Sequence, residues 1–376
     1  VIQLKGSFVI GKIKGIQIEI HASWLIVFGL VSFVLATNYF PQNHPDFDPS
    51  LRWFLAGIMA LFLFISVLLH ELSHSIVSIK EGIEVKKISL FIFGGLAQME
   101  GEPDSPKKEL KIAIAGPAMS VMLFLFFTIL ASVLSILGAS EIILIPISYI
   151  GTVNLILAIF NLVPAFPLDG GRVLRALIWH YKGNLQLATK IASSFGGFFG
   201  YFLMFLGIFW VFSGAFLSGI WFVFIGWFIN QASQSSYQHT VMSDIFNKIP
   251  VREFMTSNVV VVDYYVPIQD LVDNYFYKYK FTSFPVRKNE EIIGIVSINN
   301  IRNTPKDTWY QTTVERVTTP LEDNLVISSD NSVSNAMQKL FSNGIGRILV
   351  MDGTKLLGIV SKTDILNYIR IHSQLE

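Results

Sequence analysis

Residues 62–79 read FLFISVLLHELSHSIVSI. The stretch has the length and apolar character of a membrane span, yet His70, Glu71 and His74 stand in its second half. Ionisable side chains at membrane depth are costly and mark function where they occur. On a helix, residues four apart share a face, with Cβ atoms about 5–6 Å apart, so His70 and His74 can reach one metal ion. Glu71 lies beside them and can take a proton from a water activated by that ion. The plain alternative is that the three cap the end of the span and face water. Two histidines and a glutamate at ligand spacing serve no capping need.

Composition supports a membrane setting. Of 376 residues, 52% are hydrophobic and only 15% charged, outside the range of soluble domains. A formal net charge of +1 offers no field for nucleic acid. Cysteine is absent, which excludes disulfides and thiolate ligands and leaves His, Asp and Glu to hold any metal. Zinc suits two imidazoles plus one carboxylate, with a fourth position open to water.

Membrane-length runs fall near 19–38, 53–79, 110–137, 142–163, 194–214 and 217–231, the last one short. The chain opens on Val1, and a leading segment can precede it. No short apolar core with a small-residue cleavage site stands out, so the first run is expected to persist as a span. Lys5, Lys12 and Lys14 precede it. Lys80, Lys86, Lys87, Lys107, Lys108 and Lys111 follow the second run, and Arg172, Arg175, Lys182 and Lys190 follow the fourth. The intervening loops hold only Arg52. This alternation fits six spans with the N-terminus and the tail both cytoplasmic, in a multi-pass protein of the cell membrane. The expected organisation is a membrane domain over 1–232, a polar linker over 233–249 and a soluble tail over 250–376.

A third ligand is sought near another apolar run. Asp169 is the acidic residue at such a place, in FNLVPAFPLDGGRVLRAL, residues 160–177. Pro164 and Pro167 interrupt regular helix, and Gly170 and Gly171 permit unusual backbone. Broken backbone at membrane depth is tolerated where it is buried in protein or lines a cavity. The alternative is a turn aspartate capping the helix that starts near Arg172.

HELSH in one span and NLVPAFPLDGG in a later one resemble the site-2 protease family of intramembrane zinc metalloproteases, over roughly residues 8–230. The resemblance implies one catalytic Zn2+ held by His70, His74 and Asp169, with Glu71 as catalytic base and acid. It implies an endopeptidase acting within the bilayer on a single-span membrane protein.

Cleavage of a membrane segment needs an unwound, extended backbone. In KKISLFIFGGLAQMEG, residues 86–101, Ile88, Leu90 and Ile92 alternate with Ser89, Phe91 and Phe93 before Gly94 and Gly95 break the run. This predicts a short membrane-associated sheet whose edge can hold substrate as an added strand. Gly94 and Gly95 allow close backbone approach. A hairpin without a substrate role is the alternative. Asn154 and Asn161, two helical turns apart, share one face of an apolar span and are candidate substrate-binding residues. The family resemblance suggests that Asn161 binds substrate backbone or the developing oxyanion. Interhelical hydrogen bonding is the alternative for both.

The tail repeats itself. EEIIGIVSINNIRN (290–303) matches TKLLGIVSKTDILN (354–367), and the strand-like SFPV (283–286) and RILV (347–350) precede the two copies. Each copy reads β-α-β-β-α, and two side by side can bury a common core. The tail resembles a cystathionine-β-synthase (CBS) domain pair, with copies at about 250–305 and 314–372. The fold class is therefore a polytopic α-helical membrane domain with a short sheet, joined to an α/β CBS pair. That resemblance implies an adenine nucleotide (ATP, ADP or AMP) held by Ser361, Thr363 and Asp364. Where the second copy has Asp364 the first has Asn300, which weakens the equivalent site near Ser297. A purely structural module, or one that pairs the chain into a homodimer, is the alternative. At the level of the whole chain, a CBS-gated transporter or channel and an inactive protease-like scaffold compete with the protease. The first predicts pore motifs that the chain does not offer, and the intact His70, Glu71, His74 and Asp169 oppose the second.

Overall fold

The structure, a computed structural model, describes residues 6–92, 94–302 and 304–375. It divides into two compact units, Val1–His239 and Thr240–Glu376.

Among the described residues, six helices are long and apolar enough to cross a membrane: Ser23–Asn43, Pro49–Lys80, Pro106–Ile136, Glu141–Asn161, Leu185–Phe212 and Phe216–Lys248. They are the first to sixth spans below. The second span runs for 32 residues, about 48 Å at 1.5 Å per residue, against a hydrocarbon core of roughly 30 Å. Its start is well defined. Pro49 occupies the first turn, where a missing N–H costs nothing, and the Asp48 carboxylate accepts from Ser50 N at 2.8 Å. The polar stretch 233–248, expected as linker, is helical and continuous with the sixth span. Once a helix is nucleated, serine and glutamine extend it at little cost. Fifth and sixth spans approach through small residues. A Cβ on Gly200 would lie 2.6 Å from Gly226 O, and one on Gly207 2.6 Å from Gly219 O.

The first unit also holds a four-stranded sheet in the order β1-β2-β3-β4. Its strands are β1 (Ser7–Ile13), β2 (Ile16–His21), β3 (Glu84–Phe91) and β4 (Gly94–Glu100). The hairpin β3-β4 follows the sequence expectation, with Phe93 and Lys5 outside the described residues. The β1-β2 hairpin was not expected. Its two-residue turn has Lys14 at φ 50° and Gly15 at φ 86°, the primed geometry that matches strand twist. Ile16, Val85 and Ile88 pack with Leu72, so the sheet lies against the second span beside its histidines. β2 and β3 run parallel, and β4 forms an edge that pairs only with β3 among the described residues.

The second unit repeats one pattern twice. Strands β5 (Val262–Asp263), β6 (Ser283–Lys288), β7 (Glu291–Ser297) and β8 (Thr319–Pro320) make one sheet. Strands β9 (Val326–Ser328), β10 (Arg347–Asp352) and β11 (Lys355–Ser361) make the other. The register repeats as well: Ser283 pairs with Ser297, and Arg347 pairs with Ser361. Each half has its own core, and a further cluster of Ile295, Leu325, Leu349, Met351 and Ile359 joins them.

Candidate metal centre

Three side chains from two elements converge. His70 and His74 point from one face of the second span, four residues apart, with their rings edge to face at 4.9 Å. Asp169 opens the helix Asp169–Lys182 that follows the proline-broken loop. His70 Nε2 and His74 Nε2 lie 3.2 Å apart, and each is 3.1 Å from Asp169 Oδ2. All three residues are buried.

The arrangement fits a metal ion. At metal–ligand distances of about 2.0–2.1 Å, tetrahedral ligands stand roughly 3.3 Å apart, close to the separations seen here. The outer nitrogen sets the tautomer of His74. His74 Nδ1 lies 2.6 Å from the carbonyl oxygen of Ile112, which can only accept, so the proton sits on Nδ1 and Nε2 presents a lone pair. His70 Nδ1 meets Ser120 Oγ at 2.9 Å. The His74 Nε2 lone pair turned toward the Asp169 carboxylate is repelled unless a cation lies between them.

The loop places Asp169 because its glycines let the chain fold back on itself. A Cβ on Gly170 would sit 2.2 Å from Leu162 O, and one on Gly171 2.1 Å from Phe166 N. Ser233 of the sixth span donates its hydroxyl to Phe166 O at 2.5 Å and steadies the same loop.

Glu71 is half-buried on the second span, and the sheet tip stands over it. A Cβ on Gly95 would fall 2.3 Å from Glu71 Cγ, so only glycine lets β4 come this close. Gly94 adopts φ 121° at the same tip. The third span contributes residues that the sequence did not flag. Gly116 faces both rings, and a Cβ there would lie 2.2 Å from His74 Nε2 and 2.5 Å from His70 Nε2. The asparagines behave differently. Asn154 is fully buried and donates to Ser66 Oγ at 2.8 Å, tying the fourth span to the second one turn before His70. Asn161 donates to Leu157 O within its own helix.

Residues 58–143 and 137–207 match peptidase family M50, and residues 251–306 and 314–371 match the CBS domain. A zinc metalloprotease of Methanocaldococcus jannaschii is 31% identical over 96% of this chain and 95% of its own length. A relative from Synechocystis sp. is 30% identical over 95% of this chain and 94% of its own. The chain belongs to peptidase family M50. It is a site-2-type zinc metalloprotease with a CBS pair, and its six apolar helices make it a multi-pass membrane protein. Among solved structures, a site-2 protease from Methanocaldococcus jannaschii is 30% identical, covering 61% of this chain and 94% of that one, with a TM-score of 0.41.

In this M50 peptidase the second unit carries a cleft lined by Phe281, Ser283, Arg347, Ser361 and Asp364, among others. Thr363 is exposed and does not line it. Asp364 accepts from the backbone N–H and hydroxyl of Ser361, a capping arrangement. Asn300 makes the same contacts with Ser297, so the difference between the two copies leaves the local backbone unchanged. Arg347 was not flagged by the sequence. Its guanidinium lies 5.2 Å from the centre of the Phe281 ring and donates to Ser283 O. Burial holds its pKa below the usual arginine range, with the Asp364 carboxylate opposing that shift.

Proposed function

We propose that this M50 peptidase cuts a transmembrane segment of a single-span, membrane-tethered protein. His70, His74 and Asp169 hold the zinc, and Glu71 handles the proton. The convergence of three donor atoms within 3.1–3.2 Å of one another carries this reading. When bound, zinc supplies Lewis acidity that polarises the scissile carbonyl and lowers the pKa of water. A Glu71 carboxylate oxygen takes the proton of the attacking water and returns it to the leaving amine nitrogen. The free edge of β4 receives the unwound substrate as a fifth strand, and Gly94 and Gly95 keep that edge clear of side chains beside Glu71. The N-terminus and the CBS pair are on the cytoplasmic side in this reading, which the distribution of Lys and Arg supports.

The test is reversible metal removal from the detergent-purified chain with a single-span peptide substrate. One equivalent of zinc is expected per chain. Chelation should abolish cleavage and added zinc should restore it. Full cleavage by the metal-free protein would reject the reading.

The cleft of the second unit is proposed to take an adenine nucleotide, with Arg347 facing its phosphates and Ser361 contributing a hydroxyl. The supporting observation is a partly buried guanidinium lining the cleft, whose hydrogen bond to Ser283 O is to a neutral carbonyl. A charge-assisted hydrogen bond contributes about 1.5–3 kcal/mol, so Arg347→Ala should weaken nucleotide affinity roughly 10–100-fold. Titration calorimetry with ATP and AMP measures it; an unchanged affinity would remove Arg347 from the site. A nucleotide regulates cleavage only to the extent that it binds the active and inactive arrangements unequally.

A further inference from the structure

We propose that the buried ion pair of Glu109 and Arg175 positions Asp169 for the metal. The inference rests on Asp169 being a zinc ligand, as proposed above. Arg175 lies six residues beyond Asp169 on the same helix and is 6% exposed, while Glu109 of the third span is 0% exposed. Arg175 Nε donates to Glu109 Oε1 at 2.6 Å, and a second guanidinium nitrogen reaches the same oxygen. The guanidinium also lies 4.8 Å from the centre of the Phe166 ring, in the loop that leads to Asp169.

Desolvating two charges often costs more than their attraction returns, so stability alone is a weak reason for such a pair. Its location supplies another. Glu109, Ile112, Gly116 and Ser120 fall at helical spacing on one face of the third span. Ile112 O takes the His74 ring and Ser120 Oγ the His70 ring, so this face sets the direction of both imidazoles. Glu109 extends the same face to the helix that carries the third ligand. Arg175 closes two N–H donors on one Glu109 oxygen, a two-point contact that a lysine ammonium would not reproduce. All three donors thereby take their register from one rigid helix.

The experiment measures zinc affinity by chelator competition, and the visible spectrum of the cobalt-loaded form, on the full chain in detergent. Glu109→Gln and Arg175→Lys are each made in the native background and beside Asp169→Ala. In the native background each should weaken zinc binding about 10–100-fold and alter the cobalt spectrum. Beside Asp169→Ala neither should weaken it more than about twofold further, because the pair acts through that carboxylate. Equal losses in both backgrounds, or none in either, would overturn the proposal. Should the single variants fail to fold, Glu109→Leu with Arg175→Met removes both charges together. Native zinc affinity in that folded double variant would overturn the proposal equally. A native chain that takes up no zinc would instead reject the metal centre itself.

Discussion

Glu71→Gln is expected to keep one zinc per chain and to slow peptide cleavage by about 10³-fold or more. The donor cluster consists of His70, His74 and Asp169, and Glu71 is outside it, so metal affinity should hold within a few-fold. Glutamine has the same shape, so the close packing of Gly95 against the side chain at 71 survives. What disappears is the only feature the amide cannot supply, a carboxylate oxygen able to accept and return a proton. Positioned proton transfer contributes typically ~10²–10⁴-fold, and here it is needed twice, at the water and at the leaving amine. Metal analysis and single-turnover cleavage, run on the same preparation, give both halves of the result. Cleavage within tenfold of native, with zinc present, would move the proton-transfer role to another group. Loss of zinc together with activity would mean that Glu71 shapes the site.

The parts of this site that the sequence reveals are those encoded by local periodicity. His70 and His74 are legible because a helix places them on one face whatever surrounds it. Asp169 is legible because two prolines and two glycines at the end of an apolar run announce non-helical backbone, which needs a reason at membrane depth. The CBS repeat is legible from Gly294 and Gly358 in equivalent positions. A Cβ at either would lie within 3 Å of a neighbouring segment, Thr319 O for one and Met255 Sδ for the other.

Non-local features were hidden. β2 alternates Ile16, Ile18 and Ile20 over only six residues before the first apolar run begins, so its strand signal merges into a span. The polar tract after the sixth run looks like a linker by composition, yet it extends a helix already formed. Gly116, Ser120 and the Ile112 carbonyl matter only because the third span packs against the second, which periodicity cannot reveal. Arg347 pairs in register with Ser361 and so faces the cleft, a consequence of strand pairing rather than of motif. Asn154, a polar side chain in an apolar run, left substrate contact and interhelical bonding both open, and the structure adds its hydrogen bond to Ser66 on the neighbouring span.

Gly116→Ala should therefore be far more damaging than a one-carbon change in a helix suggests. Alanine favours helix over glycine by about 1 kcal/mol, so the third span itself would gain. The added methyl, however, would lie 2.2 Å from His74 Nε2, 2.5 Å from His70 Nε2 and 2.7 Å from His70 Cδ2. Carbon and nitrogen atoms pack at roughly 3.5 Å, so the rings or the helices must separate by about an ångström. Rotating the rings away breaks their contacts with Ile112 O and Ser120 Oγ, and moving the third span breaks the same contacts from the other side. Either response pulls at least one lone pair off the common point. Displacements of this size cost about 10²-fold in reactivity, and misdirected imidazoles cost about 10–100-fold in metal affinity. A loss of cleavage of about 10³-fold or more is expected, with weakened zinc binding by chelator competition and a lowered melting temperature, because overpacking of about 1–3 kcal/mol outweighs the gain in helix propensity. Gly57→Ala on the second span, where a Cβ would meet nothing within 4 Å, is the matched control and should be silent. Native zinc affinity and cleavage in Gly116→Ala would require the third span to stand further from the histidines than the structure places it.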